Sequence, residues 1–198
     1  MTKEESKKVI EALLFASEKP IPPERMKDVI GDVAGGSVRA LVDELNAEYK
    51  SSGRSFNIIE IAGGYQIATD PAYAPYIRKL YKTRREDRLS QPALETLAVI
   101  AYKQPATRAD IEFVRGVNVD GVMKTLTERG LVKIVGRKDA LGRPILYGTT
   151  REFLQYFGIN SLTDLPSLRE ISEEEVKLEA DKIIEENKDE VGEITKQN

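Results

Sequence analysis

The first half of the chain carries three stretches of helical hydrophobic periodicity and then one stretch of strand periodicity. We predict helices over residues 1–17, over a short segment begun by Pro22 and Pro23, and over 37–50. Residues 55–69 alternate and are rich in Ile, and Gly63-Gly64 divides them, which predicts a β-hairpin. A fourth helix is predicted over 71–82. The residues expected to face inward are Val9, Ile10, Leu13, Leu14, Met26, Val29, Ile30, Val38, Leu41, Val42, Leu45 and Tyr49.

The second half repeats this order. We predict a helix over 90–103 capped by Ser90, a short helix opened by Thr107 and Asp110, and a third helix over 119–129 that ends at Gly130. Two strands are predicted over 131–137 and 143–148, and one more helix over 149–157 with Thr149 as its cap. The inward positions of the helices are Leu94, Leu97, Ala98, Ala101, Ile111, Val114, Val122, Met123, Leu126, Phe153, Leu154 and Phe157.

The repetition is visible in the residues themselves. LLFASEKPI at 13–21 matches AVIAYKQPA at 98–106 with an offset of 85, and the apolar positions of the two third helices match with an offset of 81. Three helices followed by a hairpin is the order of a winged-helix domain. We therefore predict an α+β, mainly helical protein with tandem winged-helix domains over 1–82 and 90–168, a basic linker at 83–89, and an acidic tail at 169–198.

Composition removes most chemistries. The chain has 198 residues without His or Cys, which excludes disulfides, zinc fingers and imidazole-based catalytic triads. No motif pairs its carboxylates with a nucleophile, so we expect no enzyme, no metal and no cofactor. No apolar run is long enough for a membrane span, and the charged start is unlike a signal peptide, so we expect a cytoplasmic protein.

Charge is distributed unevenly. Residues 172–198 hold 10 acidic and 4 basic residues, so the remaining chain has a net charge of +3 although the total is −3. The tail fits either a disordered segment or an amphipathic helix that folds on a partner. The two predicted third helices carry mixed charge and lack the Lys/Arg excess needed to bind phosphates. The second hairpin, with Lys133, Arg137, Lys138 and Arg143, fits either a solvated strand edge or a phosphate contact.

Residues 93–166 resemble the bacterial segregation and condensation protein B family. The segments LAVIAYKQP, RGVNVDGV, LTERGLV and GRPILYGTT follow in the family's order and spacing. The first half is similar as well, through VIEALLFASEKPI at 9–21 and GGYQIAT at 63–69. Leu141 is a departure, because many members carry a proline before the Gly-Arg-Pro.

The resemblance implies a non-enzymatic scaffold subunit of the bacterial condensin-like complex. Family members homodimerise, chiefly through the first domain, and bind the kleisin subunit, segregation and condensation protein A. The kleisin bridges the ATPase heads of the structural-maintenance-of-chromosomes protein, so the implied role is chromosome condensation and partitioning at the nucleoid. Direct DNA contact is expected to be weak at most.

We expect the second hairpin and its neighbours to contact the kleisin. The candidate residues, chosen from the family-like motifs, are Tyr102, Arg115, Arg137, Gly142, Arg143, Pro144 and Tyr147. A DNA-binding transcription regulator is the rival hypothesis from another functional class. A processing accessory or a chaperone is a third alternative.

Overall fold

The first half of the chain folds as three helices followed by a β-hairpin. The computed structural model describes residues 1–31, 36–81 and 88–167. The elements of this half are α1 (Lys3–Ala16), α2 (Pro23–Ile30), α3 (Val38–Ser51), β1 (Phe56–Ile61) and β2 (Gly64–Thr69), then a 3₁₀ turn (Pro71–Tyr73) and α4 (Ala74–Leu80). The predicted order of elements in this half is confirmed.

An apolar cluster packs these three helices against the hairpin. Successive turns of each helix send buried side chains into it, because apolar residues three and four apart share one helix face. Its members are Ile10, Leu14, Met26, Ile30, Val38, Leu41, Val42, Leu45, Tyr49, Ile58 and Tyr65. Helix α1 starts with a capping box, in which Thr2 Oγ1 accepts from the Glu5 N–H and Glu5 Oε2 accepts from the Thr2 N–H.

The first hairpin turns at Ala62-Gly63, one residue before the predicted Gly63-Gly64. Ile61 pairs with Gly64, and the two residues between them have φ angles of 52° and 67°, which a tight two-residue turn requires. Gly64 belongs to β2 and has a different role. A Cβ at Gly64 would lie 2.9 Å from the main-chain carbon and oxygen of Ile21. The glycine therefore permits a close approach of the α1–α2 loop.

The second half has the same order with one additional strand. Its elements are α5 (Gln91–Lys103), β3 (Ala106–Thr107), α6 (Arg108–Arg115), α7 (Asp120–Glu128), β4 (Val132–Arg137), β5 (Ile145–Thr149), α8 (Arg151–Phe157) and a 3₁₀ turn (Leu162–Asp164). The strands form an antiparallel sheet in the order β3-β5-β4. Strand β3 was not predicted, because two residues are too few to show an alternating pattern.

Four residues predicted to face inward are exposed: Val29, Ala98, Val114 and Phe157. In α2 the buried pair is Met26 and Ile30, which are four residues apart and share one face. Val29 lies beside that stripe, where no element of the described chain covers it, and it is 58% exposed. Ala98 likewise lies beside buried Leu97 in α5, and Val114 lies outside the face that buries Ile111 in α6. Phe157 is the last residue of α8, in which Phe153 is the buried residue.

The predicted cap of the last helix was also wrong. Thr150, not Thr149, caps α8, and its hydroxyl accepts from the Phe153 N–H at 3.1 Å. Thr149 is the last residue of β5, and its N–H donates to Gln104 Oε1 at 2.7 Å. Ser90 does stand at the N-cap of α5, but its side chain makes no cap hydrogen bond. The α8 start thus has a local cap one residue later than predicted, and the Ser90 side chain does not serve as a cap for α5.

The turn of the first hairpin contacts the end of the second half. The Ala62 N–H donates to the Ile159 carbonyl at 3.0 Å, and Lys19 Nζ lies 3.1 Å from Glu152 Oε1. Residues 1–162 accordingly form one compact unit. The predicted domain limits at 82 and 90 stay a prediction. Most of the predicted linker at 83–89 and all of the predicted tail at 169–198 lie outside the described residues.

Candidate partner-binding surfaces

Four of the seven candidate residues come together at the tip of the second hairpin. We call residues 132–149 (β4, β5 and the loop between them) the second wing. At its tip the Lys138 N–H donates to the Pro144 carbonyl at 2.8 Å, and the Arg143 N–H donates to the Ala140 carbonyl at 2.9 Å. Gly142 and Arg143 both have positive φ angles, of 80° and 41°. The loop is therefore a tightly wound turn that displays its side chains outward.

Arg137 and Arg143 are linked at this tip. Arg137 Nη1 donates to the Arg143 carbonyl at 3.1 Å, and both side chains are exposed. The bond uses the main chain of Arg143 and leaves its guanidinium outward. Two cations thus stand side by side on an exposed turn, where planar guanidinium groups can bind carboxylates with two hydrogen bonds.

Tyr147 lies at the centre of the sheet and not at the tip. It pairs with Ala106 of β3 on one side and with Ile134 of β4 on the other, and it is half-buried. Its main chain is therefore committed to the sheet. Its side chain stands on a rigid strand between the two neighbours.

Tyr102 and Arg115 lie on helices α5 and α6. The Arg115 side chain is only 18% exposed, and its Nη1 lies 2.5 Å from Glu95 Oε2 while its Nε donates to Thr96 Oγ1 at 3.2 Å. Arg115 therefore ties α6 to α5. Tyr102 stands at the solvent-facing side of α5, where it is 36% exposed.

The second wing is basic. Lys133, Arg137, Lys138 and Arg143 are exposed along it, and Asp139 is its one carboxylate. Nearby, the hydroxyl and main-chain N–H of Thr107 bond the Asp110 carboxylate and hold its pKa below the usual range, with smaller contributions from Lys138 and Lys103. The electrostatic potential at the surface of the second wing is therefore positive.

Exposed apolar side chains accompany these cations, and the sequence reasoning did not identify them as part of a surface. Leu141 at the tip is fully exposed, and Ile134 and Val135 on β4 are 60% and 47% exposed. The signal was present in the sequence as the uninterrupted apolar pair Ile134-Val135 in β4. Exposed apolar groups beside cations are typical of a peptide-binding surface.

A second surface lies in the first half, beside Phe15. This residue is 86% exposed and borders a cavity of about 550 Å³ between α1, α3 and the first hairpin. Tyr49 Oη donates to Glu11 Oε1 at 2.9 Å on its wall, and burial together with this hydrogen bond raises the pKa of Tyr49. The α4 region adds exposed Tyr73, Tyr76, Leu80 and Tyr81.

The described residues contain no group of three or more acidic side chains placed to hold a metal ion. Across residues 1–31, 36–81 and 88–167, no helix combines the length and the apolar character needed to cross a membrane.

Comparison with known proteins identifies the family. Residues 8–168 match the model of the family described as segregation and condensation complex subunit ScpB. The chain belongs to the ScpB family. The resemblance drawn from the motifs of residues 93–166 is thereby confirmed.

Curated ScpB relatives are similar over most of their length. A segregation and condensation protein B of Syntrophotalea carbinolica is 50% identical over 169 residues, which cover 85% of each chain. A protein of the same name from Symbiobacterium thermophilum is 49% identical over 81% of this chain and 72% of its own length.

Solved structures also match. A conserved hypothetical protein from Chlorobium tepidum is 38% identical, with a TM-score of 0.39 over 78% of this chain and 96% of that chain. A structure described as a dimer of the ScpB N-terminal domain complexed with ScpA peptide is 28% identical, with a TM-score of 0.35 over 39% of this chain and 95% of that chain.

Proposed function

We propose that this chain is a non-enzymatic scaffold that homodimerises and binds the kleisin ScpA within a bacterial condensin-like complex. The match of residues 8–168 to a family described as a complex subunit carries the proposal. The kleisin would link this chain to the structural-maintenance-of-chromosomes ATPase. The role is then chromosome condensation and segregation in the cytoplasm, at the nucleoid, with no cofactor.

Within this proposal, each half of the chain is a winged-helix domain. The order of three helices and a hairpin in both halves supports it, as does the antiparallel pairing of Ile21 with Tyr65 and of Ala106 with Tyr147. The domains are proposed to span 1–82 and 90–168. The first is the dimerisation domain, and exposed apolar side chains such as Phe15 and Tyr76 are the kind of surface that a second copy covers.

The second domain binds the kleisin through the second wing. The basic tip residues Arg137 and Arg143 make the contact with the kleisin. Gly142 and Pro144 shape the turn, and Tyr147 forms part of the sheet face behind it. Tyr102 and Arg115 belong to the flank of this surface. Cations beside exposed Leu141 suit a peptide with carboxylates and apolar side chains.

The third helices are poor candidates for reading DNA. In α3, Glu44 and Glu48 are occupied by ion pairs with Lys3 and Lys7 of α1. In α7, Asp120 pairs with Arg108. These helices use their charges to hold neighbouring helices, which favours the scaffold over the rival transcription regulator.

Co-purification of this chain with full-length ScpA, with the mass of the complex measured by light scattering, tests the proposal. We expect a complex that contains two copies of this chain. Arg143→Ala is expected to weaken ScpA binding by about tenfold, the loss typical of a charged contact, while the dimer stays intact. A monomeric chain, or a dimer that does not retain ScpA, would refute the proposal. Sequence-specific, salt-dependent DNA retention in a gel shift would support the regulator.

A further inference from the structure

Strand β4 forms an open edge of the second wing. The strand order β3-β5-β4 leaves one side of β4 without a strand neighbour within the described sheet. Lys133, Ile134, Val135 and Arg137 on this strand are all exposed. An edge strand presents unpaired peptide groups, to which another extended chain can add.

The corresponding edge in the first half is closed at Ile58, two residues before Glu60, which pairs with Tyr65 as Ile134 pairs with Tyr147. Asn46 on α3 reaches β1 with its side-chain amide, whose Nδ2 donates to the Ile58 carbonyl at 2.9 Å. The Ile58 N–H donates in return to Asn46 Oδ1 at 2.8 Å. One side chain thus takes the place of a neighbouring strand at Ile58.

The internal repeat shows what stands at this position in the second half. The offset of 81 between the third helices aligns Asn46 with Thr127 of α7. The Thr127 hydroxyl donates to the Met123 carbonyl of its own helix at 2.8 Å and does not reach β4. Thr127 therefore does not close β4 as Asn46 closes β1.

The pairing pattern identifies which peptide groups of β4 face outward. Ile21 and Tyr65 exchange two main-chain hydrogen bonds, so the Tyr65 peptide groups point away from β1. Tyr147 holds the equivalent position, since it pairs with Ala106 of β3. Tyr147 therefore directs its peptide groups towards β3 and not towards its partner on β4, Ile134. In such a non-hydrogen-bonded pair, the N–H and carbonyl of Ile134 point to the outer side of β4.

We propose that the outer edge of β4 binds an extended, acidic segment of a partner protein by strand addition at Ile134. The inference rests on the proposed function, and the segment belongs to the kleisin. Main-chain hydrogen bonds to Ile134 supply affinity, and the side chains on either side supply selectivity. The register shift between Ile134 and Gly136 keeps the added strand short.

Charge complementarity selects this occupant. Lys133 and Arg137 flank Ile134, and Lys138 and Arg143 continue the positive face towards the tip. A second copy of β4 would bring the same cations together, and like charges on opposed strands repel. A nucleic acid would use the cations through its phosphates but would leave the free peptide groups and exposed Ile134 and Val135 unused.

Residue-resolved hydrogen exchange on the full chain, with and without saturating full-length ScpA, tests the inference. We expect the Ile134 amide to exchange about tenfold or more slowly in the complex, because a new hydrogen bond protects it. The Ile58 amide, already bonded to Asn46, serves as the internal control and should change little.

Charge reversal gives a second measurement. We expect Lys133→Glu with Arg137→Glu to weaken ScpA binding by about tenfold or more at low salt. The control is Lys124→Glu on the exposed side of α7, which should change the affinity by less than about twofold. Circular dichroism checks that both variants fold. If the double variant does not fold, the exchange measurement on the unmodified chain decides whether the inference holds.

Three results would overturn the inference, and they differ in what they leave standing. Tight ScpA binding with unchanged exchange at Ile134 refutes strand addition but leaves the proposed function intact. Absence of ScpA binding to the unmodified chain refutes both. A double variant that keeps its ScpA affinity and loses only DNA retention would assign the wing to nucleic acid and would equally overturn the inference.

Discussion

Ile21 and Tyr65 exchange two main-chain hydrogen bonds, each with an N···O distance of 2.9 Å. Ile21 lies in the loop after α1, and Tyr65 is the second residue of β2. Ala106 pairs with Tyr147 in the same antiparallel sense in the second half. Ile21 and Ala106 are separated by the offset of 85 that relates the two loops in sequence. The sequence repeat is therefore also a repeat of sheet topology. In each half, a residue from the segment after the first helix adds a third backbone segment to the hairpin.

Removing the Asn46 amide should destabilise the first half. Asn46→Ala leaves the N–H and carbonyl of Ile58 without their partners on a part-buried strand. We expect a loss of about 1–3 kcal/mol in the free energy of unfolding, the usual cost of unsatisfied polar groups. Urea unfolding followed by circular dichroism measures it.

Asn57→Ala provides the matched control. Asn57 lies on β1 next to Ile58, and its side chain is exposed. It should change the free energy of unfolding by less than about 0.5 kcal/mol. Equal losses in the two variants would mean that the Asn46 hydrogen bonds contribute nothing specific to stability.

Gly64→Ala should be destabilising although alanine is a small residue. Its Cβ would lie 2.9 Å from the Ile21 main chain, and a backbone contact of that length has to move. We expect a loss of about 1–3 kcal/mol, the range for forcing atoms into a packed site. The close contact accompanies the Ile21–Tyr65 pairing, in which the Tyr65 N–H is hydrogen-bonded. We therefore expect the Tyr65 amide to exchange faster in the variant.

Gly121→Ala is the comparison for this variant. A Cβ at Gly121 would have no neighbour within 4 Å, and the residue is in the first turn of α7. Alanine there should be neutral or stabilising by up to about 1 kcal/mol, since it restricts the unfolded chain. A Gly64→Ala protein as stable as the Gly121→Ala protein would refute the close approach.

The sequence predicted the helices and hairpins because their signals are local. The stripe Val38, Leu41, Val42, Leu45 and Tyr49 recurs regularly along the 14-residue helix α3, and all five are buried as expected. Shorter helices gave less information. Over the eight residues of α6, the periodicity could not decide between the buried Ile111 and the exposed neighbouring side, on which Val114 lies.

The candidate site was predictable only in part, for a different reason. The tip residues Arg137 and Arg143 follow from a motif that is continuous in sequence. The open edge of β4 depends on contacts between distant segments: whether α7 reaches the strand, and which side of β5 the loop residue Ala106 occupies. Neither can be derived from periodicity, because hydrogen bonds between segments distant in sequence leave no repeating pattern.

The Asp110 carboxylate should make stability depend on acidic pH. Hydrogen bonds from Thr107 lower its pKa in the folded protein, so its contribution is complete above the ordinary value of about 3.9. The contribution is lost as the pH falls through the lower folded pKa. We therefore expect Asp110→Asn to have a lower Tm than the unmodified chain at pH 6, with the difference shrinking below about pH 4.

Asp139→Asn on the exposed wing loop is the control for general charge effects. Thermal melts of the three proteins between about pH 2.5 and 6 make the comparison. A Tm difference between the unmodified chain and Asp110→Asn that stays constant over this range would exclude the carboxylate as its origin.

Arg115 and Arg143 should separate stability from binding. The Arg115 side chain is 18% exposed and bonds Glu95 and Thr96, so Arg115→Ala removes a tie between α6 and α5. We expect it to lower the free energy of unfolding by about 1–3 kcal/mol.

Arg143 uses only its main chain within the wing, so Arg143→Ala should leave stability within about 0.5 kcal/mol and weaken ScpA binding instead. Urea unfolding and calorimetric titration with ScpA on the same preparations give both quantities. If Arg143→Ala proved the less stable variant with unchanged ScpA affinity, the tip would be a structural turn and the binding surface would have to lie elsewhere.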